Sequence, residues 1–149
     1  MCGLVMLAGP HALARLPECL SRLTHRGPDD HNVWTSGDLA LGFNRLIING
    51  DHEIGRQPHQ HEDLIGAING QIYNHQALRA THKLPESIDS MGCDTDVVLP
   101  LFAQYGAGVI DVLDGFYSAV IFRLHTREVI CLRDHMGKKP LFTGSSGSE

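Results

Sequence analysis

Phe116-Tyr117-Ser118-Ala119-Val120-Ile121-Phe122-Arg123-Leu124 and Glu128-Val129-Ile130-Cys131-Leu132 flank the polar segment His125-Thr126-Arg127, and this run decides the fold class. Both flanks are rich in β-branched and aromatic residues, which suit a pleated, largely buried surface, so the reading is an antiparallel hairpin of apolar strands. Upstream, Leu64 to Asn69 reads as a strand and Asn74 to Ala80 as a short helix capped by Asn74. Val98, Leu101, Phe102 and Tyr105 share one face of a further helix, which Pro100 is expected to kink. Gly3 to Gly9 reads as a short buried strand. Leu13, Leu16, Leu20 and Leu23 recur at helical spacing, with Pro17 expected to break or restart that helix. Thr24 to Asp30 is a turn-rich loop, Val33 to Thr35 and Leu39 to Leu46 are strand-like, and Ile47 to Glu62 reads as a long surface loop. Strands and helices fall in separate runs, which favours α+β over a parallel βαβ sheet.

Outward from these elements, composition narrows the function classes. The 149 residues are expected to form one domain, either a unit by itself or a piece of something larger, without room for a second catalytic module among them. Hydrophobic residues at 42% against 19% charged supply a core and exclude intrinsic disorder. Twelve Lys+Arg against seventeen Asp+Glu, with no basic run, exclude nucleic acid as a direct ligand. Nothing approaches the roughly 18 apolar residues of a membrane span, and the start lacks the basic residues of a signal peptide, so a cytoplasmic protein without a membrane partner is expected. The four cysteines, at 2, 19, 93 and 131, form no Cys-x-x-Cys pair and read as free thiols in a reducing compartment. Among ten histidines only His59-Gln60-His61 is close-set, without a companion Cys or Glu cluster at metal spacing. It reads as part of a solvated loop, and no metal is expected.

Four positions carry candidate chemistry. Removal of Met1 would leave the Cys2 thiol beside a free α-amine, two groups with ordinary pKa values near 8.5 and 7.7–8.0 that can exchange a proton, as in amino-terminal nucleophiles. By itself Cys2 is a cysteine that happens to follow the initiator. Asn69-Gly70 is either a tight hairpin turn or an oxyanion hole made of the Asn69 amide and the Gly70 backbone N–H. Arg45 is either a snorkelling surface residue or a fork for a substrate carboxylate. Asp94 with Thr95 is either a helix-capping segment or the receptor of a substrate ammonium.

Taken in order along the chain, the motifs narrow these alternatives. Met1-Cys2-Gly3, His25-Arg26-Gly27-Pro28-Asp29, Asn44-Arg45-Leu46, Gln57-Pro58 and Ala67-Ile68-Asn69-Gly70-Gln71-Ile72-Tyr73-Asn74-His75 are followed by Asp94-Thr95-Asp96-Val97 and by Leu132-Arg133-Asp134-His135-Met136-Gly137-Lys138-Lys139-Pro140-Leu141. This series resembles, nearly end to end, the class II glutamine amidotransferase domain of the glutamine-dependent asparagine synthetases. The resemblance implies an amino-terminal-nucleophile hydrolase fold, a four-layer αββα sandwich of two antiparallel sheets, spanning residues 1–149. It implies a glutaminase that passes ammonia to an acceptor such as aspartate on a separate or missing synthetase domain. Cys2 would be the nucleophile, Asn69 and Gly70 the oxyanion hole, Arg45 the clamp on the α-carboxylate and Asp94 the partner of the α-ammonium. Leu46 and Ile48 would offer backbone groups, and Gln71 would border the substrate. No cofactor is implied for the hydrolysis, with ATP expected only on the synthetase half.

The departures bear on activity. Position 71 is Gln where the family usually has an acid, which removes one negative group near the ammonium. Phe43 and Asn49-Gly50 also differ from the residues usual around Arg45. The Gly/Ser-rich end, Thr143 to Glu149, stands where the final strands of the domain are expected, and the nucleotide-binding Ser-Gly-Gly-x-Asp motif is absent. Gln71 and the shortened end favour the alternative reading, a weak or inactive homologue that binds glutamine or a partner protein as a regulator. Glutamine, a synthetase domain or subunit and a homo-oligomer are the expected partners.

Overall fold

A computed structural model describes residues 1–48, 55–84 and 93–145. In the first sheet β1 (Gly3–Ala8) pairs antiparallel with β3 (Leu39–Arg45), which pairs antiparallel with β2 (Asp30–Ser36), giving the order β1-β3-β2. The second sheet, also antiparallel, has the order β4-β5-β6-β7, from β4 (His59–His61), β5 (Leu64–Ile72), β6 (Gly115–Arg123) and β7 (Glu128–Arg133). Among the described residues three α-helices accompany them: α1 (Ala12–Arg22), α2 (His75–His82) and α3 (Val98–Tyr105).

Strand side chains alternate between faces, and here the alternation builds the layers. Val5, Leu7 and Ala40 pack on Ala12, Leu16 and Leu20 of α1. Their neighbours in sequence, Cys2, Leu4, Met6, Leu41 and Phe43, turn the other way and pack on Ile65 and Ala67 of β5. On the far side of β5, Leu64, Ile68 and Ile72 join Tyr117 and Ile121 of β6 beneath Leu78 of α2 and Val98, Leu101 and Phe102 of α3. The order is helix, sheet, sheet, helices, which is the expected αββα sandwich. Full burial of side chains such as Leu41, Phe43 and Ile65 contributes about 1.5–3 kcal/mol each, so the space between the sheets is closed mainly by hydrophobic packing.

Several local expectations are corrected. Pro17 lies inside an unbroken α1. It sits one turn after Leu13 and is exposed on the flank of α1, so burial of Ala12, Leu16 and Leu20 holds the helix although one backbone bond is lost. Pro100 occupies the first turn of α3, where its missing N–H has no intrahelical partner to lose, and no kink is required. Asn74 does not cap α2 with its side chain. Its amide instead donates to Val112 O at 2.9 Å and accepts from Asp114 N at 3.0 Å, tying the end of β5 to the start of β6. Part of the expected loop between Ile47 and Glu62 is strand β4, and residues 49–54, which include Asn49-Gly50, lie outside the described residues. Beyond β7 the described residues form no further strand, and residues 146–149 of the Gly/Ser-rich end lie outside them. No helix among the described residues is long and apolar enough to cross a membrane.

Candidate active site

The period-two faces bring the sequence candidates together. Cys2 shares the inward face of Leu4 and Met6, and Arg45 that of Leu41 and Phe43, so both project between the sheets. The β1–β3 register ends at Gly3 opposite Asn44, which sets Cys2 beside the Arg45 end of β3. Asn69 has the parity of Ile65 and Ala67 and enters the same space from β5. It is buried, and its carboxamide makes no hydrogen bond among the described residues. Arg45 is only 6% exposed, which rejects the snorkelling alternative.

Around Cys2 the backbone of Leu46 is the nearest polar partner. Leu46 N–H donates to Sγ at 3.4 Å, and the thiol reaches Leu46 O at 3.8 Å. Both backbone polar groups of Leu46 are thus directed at the Cys2 thiol. The segment is braced by the loop that precedes β2: Asp29 N–H donates to Arg45 O at 3.1 Å, and Ile47 N–H donates to the Asp29 carboxylate at 2.8 Å. Gly27 is required there because a Cβ would stand 2.3 Å from Asn44 O. Ile48 is exposed, with its side chain in solvent.

Asn69-Gly70 is not a turn; both residues lie inside β5, opposite Ser118 and Tyr117. Gly70 is needed because a Cβ would meet Phe116 O at 2.2 Å. The direction of its N–H follows from its neighbours. Tyr117 turns its peptide groups toward Asp134, with Asp134 N–H donating to Tyr117 O at 2.9 Å and Tyr117 N–H donating to the Asp134 carboxylate at 3.1 Å. Gly70 therefore points away from β6. On that outer edge Ile68 N–H donates to Gln57 Oε1 at 2.6 Å and Ile72 N–H to Asp94 Oδ2 at 2.6 Å. The Gly70 N–H lies between these two and is aimed into the gap that β4 leaves uncovered.

Asp94 borders that gap and does not act as a cap: the 3-10 segment Asp94–Val97 has no side-chain capping bond. Its tie to Ile72 N–H uses one carboxylate oxygen and leaves the other for a ligand. Gly55 lies against both Cys93 and Arg45, since a Cβ on Gly55 would lie 2.9 Å from Cys93 Sγ and 3.3 Å from an Arg45 guanidinium nitrogen. Gln71 is exposed at the end of β5.

Two further features border these residues, one of them not singled out from sequence and the other read differently there. Lys139, buried inside its motif, lies with Nζ 4.5 Å from the Phe116 ring centroid. Burial, and then Arg26, push its pKa below the ordinary lysine value, while Cys2 acts in the opposite sense. Arg26 Nε also donates to Cys2 O at 3.4 Å, so two cationic side chains border the Cys2 end of β1. Asp134 holds this segment in place. Although burial opposes it, the N–H groups of Lys138, Lys139 and Tyr117 keep Asp134 below the usual carboxylate range.

The second feature corrects the reading of His59 as a residue of a solvated loop. His59 is on β4 with its side chain 14% exposed, its Nε2 3.2 Å from Asp96 Oδ1. Despite that carboxylate, burial and then Arg45 hold its pKa down at about 4, so the pair is a neutral ring beside a carboxylate that already shares Arg79 at 3.5 Å. This sets a pH dependence. Unfolded His59 binds its proton near 6.5 and folded His59 only near 4, so the unfolded state holds more protons between those values. Stability therefore falls as pH drops from about 6.5 to about 4, by roughly 3 kcal/mol, and the contribution is constant below that. Urea unfolding at both ends of that window should show this loss in the natural chain and lack it in His59→Gln; equal pH slopes would contradict it.

An apolar groove of about 580 Å³ lined by Leu13, Pro17, Leu20 and Val33 lies between α1 and β2, on the outer side of the first sheet and away from these groups.

A family model described as a glutamine amidotransferase domain matches residues 1–149. Among curated proteins the chain is 34% identical to the glutamine-hydrolyzing asparagine synthetase of Asparagus officinalis and 36% to the nodule enzyme of Pisum sativum, over 97% of its length in each case. It is 33% identical to the glutamine-hydrolyzing asparagine synthetase 1 of Arabidopsis thaliana, again over 97% of its length. The chain spans about a quarter of the length of these relatives, 25% in each.

Proposed function

Because the chain belongs to the glutamine amidotransferase domain family, we propose that it hydrolyses glutamine to glutamate and ammonia with Cys2 as nucleophile. The observation that carries this reading is the convergence of Cys2, Arg45 and Asn69 between the two sheets, with Asp94 and the Gly70 N–H at the adjoining open edge. Arg45 takes the substrate α-carboxylate and Asp94 the α-ammonium, which presents the side-chain amide to Cys2. After removal of Met1, which is exposed, the Cys2 amine accepts the thiol proton as sulfur attacks the amide carbon. The oxygen becomes an anion between the Asn69 amide and the Gly70 N–H. Protonation of the amide nitrogen by the same amine releases ammonia and leaves a thioester, which water cleaves to glutamate.

No cofactor takes part in these steps; ATP belongs to a synthetase domain or subunit that receives the ammonia on an acceptor such as aspartate. The free thiols of Cys2, Cys19, Cys93 and Cys131 suit the reducing cytoplasm. Self-association belongs to the same proposal, since β7 is a sheet edge with Val129 and Cys131 exposed. A regulatory homologue without turnover is favoured only by Gln71. The deciding experiment is a glutamate-release assay on the Met1-processed chain: turnover supports the enzyme, and saturable glutamine binding without turnover supports the regulator.

Recognition of the zwitterion gives a separate expectation. Asp94→Asn keeps an acceptor for Ile72 N–H while removing the charge, and Arg45→Lys keeps a charge while removing the fork. Each should weaken glutamine binding by about 1.5–3 kcal/mol, roughly tenfold to a hundredfold in KM. Simple amides without an α-carboxylate should lose little in Arg45→Lys; a loss equal to that for glutamine would make Arg45 structural.

A further inference from the structure

We propose that His59, Cys93 and Asp96 form a binding site for one transition-metal ion of the zinc class. The three come from separate elements: His59 from β4, Cys93 from the residue before the 3-10 segment Asp94–Val97, and Asp96 from within it. All are half-buried, and their ligand atoms lie within 4.8 Å of one another. A tetrahedral ion with bonds of about 2.0–2.3 Å holds its ligand atoms roughly 3.3–3.8 Å apart, so small side-chain rotations close the set.

Two observations beyond proximity point to a ligand. The His59 Nε2 is buried and satisfies hydrogen-bond geometry with no group among the described residues, although Asp96 Oδ1 is 3.2 Å away. Asp96 meanwhile is oriented by Arg79 through its other oxygen, at 3.5 Å, which turns Oδ1 toward the ring. An ion between them would satisfy the imidazole without breaking the Arg79 contact. Cys93 Sγ completes the set and contacts Thr95 Oγ1 at 3.2 Å, a neighbour whose hydroxyl can hold the thiolate in place by a hydrogen bond.

The donor set selects the metal. Thiolate and imidazole favour zinc or cobalt over magnesium or calcium, which prefer oxygen ligands. On binding, the ion–sulfur bond forms as the Cys93 thiol proton leaves to solvent, with no change of oxidation state, and a fourth position stays open to water. Cys93 and Asp94 are consecutive, and Gly55 sets Cys93 against Arg45, so the ion would sit behind the wall of the glutamine site without using its groups. The site stands whether or not the chain hydrolyses glutamine.

The probe is Co²⁺, titrated into the tag-free full chain under anaerobic, reducing-agent-free conditions and followed by absorption. One equivalent should bind with thiolate-to-cobalt charge transfer and tetrahedral ligand-field bands, and Zn²⁺ should displace it. Charge transfer should vanish in Cys93→Ser, persist in Cys2→Ala, and require at least tenfold more Co²⁺ in His59→Gln. In the natural chain, which needs no variant to fold, Zn²⁺ should protect Cys93 from alkylation while Cys131 reacts as before. Absence of stoichiometric binding, charge transfer that survives Cys93→Ser, or equal alkylation of Cys93 with and without Zn²⁺ would overturn the proposal.

Discussion

Cys2→Ala is expected to release no glutamate from glutamine, while both sheets stay folded. The side chain is only half-buried at the start of β1, and its polar ties are two long sulfur contacts to Leu46, so truncation costs about 1 kcal/mol. The chemistry, by contrast, loses its covalent step. A methyl group forms no thioester, and the remaining oxyanion donors and charge clamps act on a carbonyl that nothing attacks. The expected loss in kcat is at least on the order of 10⁴, whereas the melting transition shifts by only a few degrees. Cys2→Ser is also severely impaired, because its alkoxide is harder to generate than a thiolate. A chain that retains Met1 behind an uncleavable tag fails for a different reason: the thiol is present but the free amine is not. Glutaminase activity near normal in Cys2→Ala would remove the nucleophile from the account, and full activity with Met1 retained would move the base elsewhere.

Asn69→Ala separates turnover from binding. Its carboxamide lies between the sheets with no hydrogen-bond partner among the described residues, so its removal orphans no buried group and the fold pays little. What disappears is one of two donors to the developing oxyanion, the Gly70 N–H being retained. Loss of one such donor lowers kcat by about 10²–10³ with KM nearly unchanged, since the interaction strengthens only as charge appears on the oxygen. Steady-state kinetics on Asn69→Ala checks this. An unchanged kcat with a raised KM would assign Asn69 to ground-state binding, and a collapse of the fold would make it structural.

How far the sequence carried the fold can be judged element by element. The hairpin of β6 and β7 was legible because its apolar strands and polar turn are contiguous, and β1 because an apolar run bounded by glycines has one reading. The site residues were legible only through the order of their motifs, since Cys2, Arg45, Asn69 and Asp94 each had a plain alternative. Asn69-Gly70 shows why local chemistry misled. Asn-Gly favours a turn, yet Gly70 is there because Phe116 O approaches too closely for a Cβ, and that pressure comes from a strand distant in sequence. Pro17 shows tertiary burial overriding a helix breaker. His59, Cys93 and Asp96 escaped notice because no spacing rule joins them; only the β4–β5 pairing and the 3-10 segment bring them together. Lys139 lay within a recognised motif, but nothing in its spacing indicated a lysine buried near Cys2.

If Cys2, freed of Met1, is the group that attacks the substrate amide, an electrophilic glutamine analogue should label it. Intact mass and peptide mapping of the treated chain should give one adduct per molecule, on Cys2, on protein lacking Met1, with glutamine protecting and Cys19, Cys93 and Cys131 unmodified. An adduct on Cys93 or another thiol, or no adduct under conditions in which the chain turns over glutamine, would contradict it.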